Sequence, residues 1–364
     1  MILREADIKG RMMENQARNI PQVEKLLQDD QIARFIPVIG RSVIIDLIRR
    51  VLEKYRDKAK SGQEIRQEAI VASILKNCAL KRMQMIQKVV NATGVMIHTN
   101  LGRAPLGGRV CEKIIGIASG YSNLEFHLTS ERRGKRGGYC EELICHLSGA
   151  EDALIVKHRP SSVFLILTCF ARGEEVLVSR GELIQIGGGF RIPDIMRETG
   201  ALLVEVGTTN ITELGDYRSA MTDRTAMIFS AHHSNFRMEG FSRTPTIREL
   251  NELKSESVLL VRDLGSGSFM DDADTPRHFR PSVQAEVAQG PDLLCFSGDK
   301  LLGGCQAGII VGKKDLIAQL RKHPLMRMLR VDKITYAVLQ EVLLQWDVKN
   351  HDDIGLWAMV MGGR

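Results

Sequence analysis

Between about residue 150 and Lys313, short β-rich runs alternate with helical stretches, and this alternation leaves few architectures open. The runs cover residues 153–156, 175–179, 201–206, 225–231, 258–261, 293–296 and 308–311. Several are continuously apolar, as strands covered on both faces must be. Intervening stretches such as 193–200 and 246–254 suit crossover helices, so the expected class is α/β with a mostly parallel sheet. The text on either side is helical. In 41–56, Ile44, Leu47, Ile48, Val51, Leu52 and Tyr55 fall on one stripe, with Arg49, Arg50, Lys54 and Arg56 on the remaining surface. That basic surface fits a solvated helix face or a recognition face for an RNA backbone. Beyond Lys313 the pattern is helical again through 316–320 and 334–344, whereas 351–364 shows no clear period. Three parts are therefore expected: a helical N-terminal domain (1–85), a large α/β domain (86–313), and the start of a helical C-terminal domain (314–364), incomplete and read as truncated.

Charge and cysteine content narrow the function class. Fifty Lys and Arg against 44 Asp and Glu give a net charge of +6, compatible with a polyanionic partner and with many soluble enzymes. The seven cysteines are scattered without a C-x-x-C pair, which reads as reduced thiols in a cytoplasmic protein. The first 13 residues are broken by Arg4, Glu5, Asp7, Lys9 and Arg11, unlike the apolar core of a signal peptide. The longest apolar run, 163–171, is interrupted by Thr168 and too short to span a bilayer. No metal-ligand spacing stands out.

Three strand ends carry unusual punctuation, and in such sheets ligands bind beyond the carboxyl ends of the strands. They are Asp263-Leu264-Gly265-Ser266-Gly267, Ser297-Gly298-Asp299-Lys300-Leu301-Leu302-Gly303-Gly304, and Lys157-His158-Arg159-Pro160-Ser161-Ser162. A lysine at a glycine-flanked strand end can be held deprotonated by desolvation, as a Schiff base with a cofactor aldehyde requires. Pyridoxal phosphate also needs a carboxylate at its ring nitrogen and backbone N–H groups with hydroxyls at its phosphate. Asp263 suits the first need, and Ser161 and Ser162, at the start of a helix, suit the second. Singly, Lys300 also fits a surface lysine, Asp263 a turn former, and the serines an ordinary helix cap.

The motifs together are more specific. Val90-Asn91-Ala92-Thr93-Gly94, His98-Thr99-Asn100-Leu101-Gly102-Arg103-Ala104-Pro105-Leu106, Ser179-Arg180-Gly181-Glu182-Leu183, Ile186-Gly187-Gly188, Phe190-Arg191-Ile192-Pro193-Asp194, Val206-Gly207-Thr208-Thr209-Asn210 and Ser234-Asn235-Phe236-Arg237 join the Asp263 and Lys300 segments. From roughly residue 20 to 346 the chain resembles the bacterial selenocysteine synthase family, the L-seryl-tRNA(Sec) selenium transferases. The resemblance implies a fold-type I pyridoxal-phosphate transferase in a homo-oligomeric ring of dimers. It implies Lys300 as the Schiff-base lysine, Asp263 as partner of the ring nitrogen and Asp299 as an active-site carboxylate. The N-terminal helical domain becomes the candidate for tRNA. Arg103, Arg327 and Arg330 become the basic cluster for selenophosphate, guanidinium groups being suited to bidentate oxyanion binding. Ser297 and His232 complete the candidate cofactor set, and Asn100 that for the substrate. The implied reaction converts seryl-tRNA(Sec) and selenophosphate into selenocysteinyl-tRNA(Sec) through a cofactor-bound dehydroalanyl intermediate.

Departures from the family pattern keep two other readings open. An Asn- and Ala-rich turn is expected where Lys157-His158-Arg159-Pro160-Ser161-Ser162 stands, and a Tyr and a His are expected at Gly137 and Tyr139. One alternative is a pyridoxal-phosphate lyase or transferase acting on a small free amino acid. The other is an inactive subunit that retains oligomerisation or RNA binding.

Overall fold

The computed structural model describes residues 19–186, 190–234, 236–271, 273, 276 and 279–362. The motif residues Gly187, Gly188 and Asn235, the segment 1–13, and Gly363 with Arg364 lie outside the described residues. The chain divides into two compact units at Val90/Asn91, five residues beyond the expected boundary.

The first unit is helical. Helix α1 (Arg41–Lys60) buries Ile44, Leu47, Ile48, Val51 and Leu52. This is the stripe set by the i, i+3, i+4 spacing. Helix α2 (Gln67–Met83) meets it with Ile70, Ile74 and Cys78, and the Tyr55 hydroxyl donates to the Ala69 carbonyl at 2.9 Å.

The second unit is built on a seven-stranded sheet. In chain order its strands are β1 (Asp152–Val156), β2 (Glu175–Ser179), β3 (Leu202–Val206), β4 (Thr225–Ala231), β5 (Leu259–Ser266), β6 (Leu293–Ser297) and β7 (Gly308–Gly312). Their order across the sheet is β1-β7-β6-β5-β4-β2-β3. Only β7 runs antiparallel to its neighbours; all other pairings are parallel. Side chains alternate between two cores. Ala153, Ile155, Leu264, Phe296 and Ile309 face one, while Leu154, Val156, Val261, Cys295 and Ile310 face the other.

Helices α3 (Gly138–Ser148) and α5 (Lys333–Asp347) share the first core, and α4 (Arg159–Phe170) the second. The crossover helix Ile247–Leu253 starts on a reciprocal cap. The Thr246 hydroxyl accepts from the Glu249 N–H, and the Glu249 carboxylate accepts from the Thr246 N–H.

Two sequence expectations differ from what is seen. The region 314–364 does not stand apart: α5 and a last helix, α6 (Gly355–Gly362), pack into the core of the second unit. The aperiodic segment there buries Ile354, Leu356 and Trp357 fully, so its apolar residues follow the core they enter rather than a helical period. Asp263 lies inside β5, not after it. A register shift opposite Cys295 and Phe296, with Gly265 at φ +73°, lets pairing continue to Ser266.

Candidate active site

The carboxyl ends of β4, β5 and β6 bring most of the expected residues together. His232 directly follows β4, and its N–H donates to the Asp263 carbonyl at 2.8 Å. Asp263 is 2% exposed and lies on the α4 side of the sheet beside Cys295, whose thiol donates to its Oδ1 at 3.5 Å. Ser297 ends β6 opposite Ser266 and Gly308, and the turn after it carries Asp299 and Lys300. That turn is tied by the Gly304 N–H to the Gly298 carbonyl at 2.8 Å and the Gly303 N–H to the Lys300 carbonyl at 2.9 Å.

Both tryptophans of the chain clamp the next two peptides. Trp357 Nε1 donates to the Leu301 carbonyl at 2.7 Å, and Trp346 Nε1 to the Leu302 carbonyl at 2.9 Å. Glycine is required close by: a Cβ on Gly303, which sits at φ +79°, would meet the Ile354 side chain at 2.3 Å.

Electrostatics at the Lys300 amine ease the loss of its proton. Burial brings it down to about 8, the Arg159 charge adds to the effect, and Asp263 and Asp299 oppose it. No hydrogen bond or ion pair holds this amine among the described residues. Asp299 is held by Arg103, which donates from Nη1 at 2.6 Å from a left-handed backbone at φ +63°. Burial likewise lowers His232 to about 4, and its Nδ1 is buried with no partner.

The proposed anion cluster is split. Arg327 and Arg330 line a cavity of about 460 Å³ with Arg136, Lys157 and Cys305, while Arg103 is committed to Asp299. Asn100 sits exposed in the short helix Thr99–Leu101. A larger cavity of about 860 Å³ lies beside His232, Arg237, Arg262 and Leu301. At its edge Glu182 is buried and pushed up to about 7, mainly by desolvation, while accepting from the Ser230 hydroxyl and the Ala231 N–H.

Pyridoxal phosphate needs an amine, an acceptor for its ring nitrogen, and donors for its phosphate. The residues have the chemistry for all three, but two positions are filled by neighbouring side chains. The guanidinium of Arg159, 6% exposed, forms a buried ion pair with Asp263 Oδ2. At the start of α4, His158 Nδ1 accepts from the Ser161 N–H at 3.2 Å and pairs with the Ser161 hydroxyl at 2.7 Å. Ser162 Oγ is buried without a partner and faces Gly308, whose hypothetical Cβ would lie 2.4 Å away. Sequence reasoning singled out this loop but not the Arg159–Asp263 pair, and Trp357 carried no signal at all. Gly137 has a plain reason to replace a tyrosine: at φ +67°, a Cβ there would strike the Tyr336 ring at 1.9 Å.

The sequence profile described as L-seryl-tRNA selenium transferase matches residues 89–360. The chain belongs to that family. A second profile, selenocysteine synthase N terminal, matches residues 17–56. Relatives of the L-seryl-tRNA selenium transferase family agree. The L-seryl-tRNA(Sec) selenium transferase of Carboxydothermus hydrogenoformans is 43% identical over 338 residues, covering 91% of this chain and 72% of that protein. That of Geobacter metallireducens is 45% identical over 329 residues, covering 89% and 71%. Among solved structures, D-glucosaminate-6-phosphate ammonia-lyase superposes with a TM-score of 0.57 at 20% identity, covering 72% of this chain and 69% of that one. This last likeness shows the fold alone.

Proposed function

We propose that this chain is an L-seryl-tRNA(Sec) selenium transferase that replaces the serine hydroxyl of seryl-tRNA(Sec) with selenium from selenophosphate, using pyridoxal phosphate held at Lys300. The observation that carries it is the Lys300 amine, partly buried and without a hydrogen bond or ion pair among the described residues, beside Asp263 and Asp299 in a chain of this family. The cofactor, when bound, supplies an electron sink for the carbon next to the substrate amine.

The remaining work falls to side chains. With its proton affinity near neutrality, Lys300 can take the proton from that carbon and return it later. Asp263, on the neighbouring strand, is the carboxylate for the ring nitrogen. Asp299, oriented by Arg103 and next to Lys300 in the same turn, is the acid for the departing hydroxyl. Arg136, Lys157, Arg327 and Arg330 give the adjoining cavity four cations for the selenophosphate anion. His232, Ser161, Ser162 and Ser297 would hold the cofactor, and Arg103 and Asn100 would lie on the substrate side. The helical N-terminal unit is assigned to the tRNA. Exposed Ile115, Tyr121, Phe126 and Leu128 supply apolar surface for the subunit contacts of a homo-oligomeric ring of dimers in the cytoplasm.

The test is turnover. The full chain with seryl-tRNA(Sec), selenophosphate and pyridoxal phosphate is expected to form selenocysteinyl-tRNA(Sec), and Lys300→Ala to abolish this while still binding the tRNA. Turnover that survives Lys300→Ala overturns the assignment.

A further inference from the structure

The carboxylate assigned to the cofactor's ring nitrogen is already taken by the chain's own Arg159. A protonated pyridine nitrogen is a donor and needs a free acceptor lone pair. Asp263 is buried, its Oδ2 is paired with the Arg159 guanidinium and its Oδ1 faces the Cys295 thiol. Guanidinium carries donors only, so a ring nitrogen left against Arg159 would be forced to accept and would lose its proton. The phosphate end repeats the arrangement, because His158 takes the Ser161 N–H and hydroxyl that an anion would use.

Both intruding side chains come from one tetrapeptide, Lys157-His158-Arg159-Pro160. The Lys157 N–H bonded to the Leu329 carbonyl at 3.0 Å fixes its start, and α4 fixes its end. Gly265, which has no side chain, lets the guanidinium and Ser234 pack close to its backbone: Arg159 Nη1 is 3.9 Å and the Ser234 hydroxyl 3.0 Å from where its Cβ would be.

We propose that Arg159 is an internal competitor for Asp263, so that pyridoxal phosphate binds this chain only as the Arg159–Asp263 pair opens, and that Arg159 thereby sets the cofactor affinity. This rests on Lys300 being the cofactor lysine, and the experiment separates the two claims.

Apo protein is titrated with pyridoxal phosphate, following the visible band of the lysine-bound cofactor, with Lys300→Ala as the blank. Arg159→Asn is expected to bind at least about tenfold more tightly than the unaltered chain. Both Arg159→Asn and Arg159→Gly leave Asp263 buried without its cation, and Arg159→Gly also opens a space that a free guanidinium ion can refill. Free guanidinium ion at non-denaturing concentration should refill the vacated space and compete with the cofactor in Arg159→Gly, but not in the unaltered chain. Equal or weaker binding by Arg159→Asn, or indifference of Arg159→Gly to guanidinium ion, overturns the competitor role and leaves the lysine assignment standing. A band that survives Lys300→Ala, or that none of the three proteins develops, overturns the lysine assignment and the competitor role with it.

Discussion

Replacing Trp357 by phenylalanine should cost the fold about 2–4 kcal/mol, and the reasoning is local. Trp357 is fully buried, with Trp346 edge-on at 5.6 Å and Phe279 at 5.9 Å between ring centroids. Its indole N–H is the donor to the Leu301 carbonyl among the described residues. Phenylalanine keeps an aromatic ring but removes that donor, leaving a buried carbonyl unsatisfied at a cost of about 1–3 kcal/mol. The smaller ring adds about 1 kcal/mol for the space it fails to fill. Denaturant unfolding measures the sum, and it has a clean reporter. The chain has two tryptophans, so the variant's fluorescence comes from Trp346 alone. Trp346→Phe is the paired experiment, since it removes the donor to Leu302. Stabilities of both variants within about 0.5 kcal/mol of the unaltered chain would refute the clamp.

Two further outcomes concern protons. Labelling of Lys300 by an amine-acylating reagent should rise with pH to a midpoint near 8 and then level off, because burial lowers the amine that far. Arg159→Asn should move that midpoint upward by removing the neighbouring cation. Glu182, raised to about 7 in the fold from 4.5, keeps its proton where the unfolded chain loses it. Its stabilising contribution is therefore complete below about pH 4.5 and falls by on the order of 3 kcal/mol as pH rises to 7. Glu182→Gln, an uncharged isostere, should flatten the stability profile across that window; a profile unchanged by the substitution would contradict the assignment.

The sheet was legible because its strands are buried on both faces and therefore written in apolar runs. Residues 175–179 and 225–231 coincide with β2 and β4 end to end. The far end of β5 was not legible, since Asp263-Leu264-Gly265 reads as a turn and only the register shift at Gly265 keeps it in the sheet. Residues 351–364 failed for a different reason. Ile354, Leu356 and Trp357 fill a gap over Leu301 and Gly303 in tertiary space, and no period along the chain encodes that. Of the site, candidate residues could be singled out from the sequence, but their pairing could not. Arg103, Asp299, Asp263 and Lys300 all stood out, but that Arg103 takes Asp299 and Arg159 takes Asp263 depends on distances between segments some 200 and 100 residues apart.

The antiparallel strand β7 has a consequence for how the protein is made. Strand β1 pairs within the sheet only with β7, and about 150 residues separate them. During synthesis the apolar run of β1 therefore emerges long before its sole hydrogen-bonding neighbour. Until β7 arrives both of its edges are open, the kind of surface that recruits another chain instead. Closing a contact of that sequence separation is slow. The step that completes the sheet is thus the one at which nascent chains of this protein are most exposed to aggregation, and the one at which a chaperone would have most to protect.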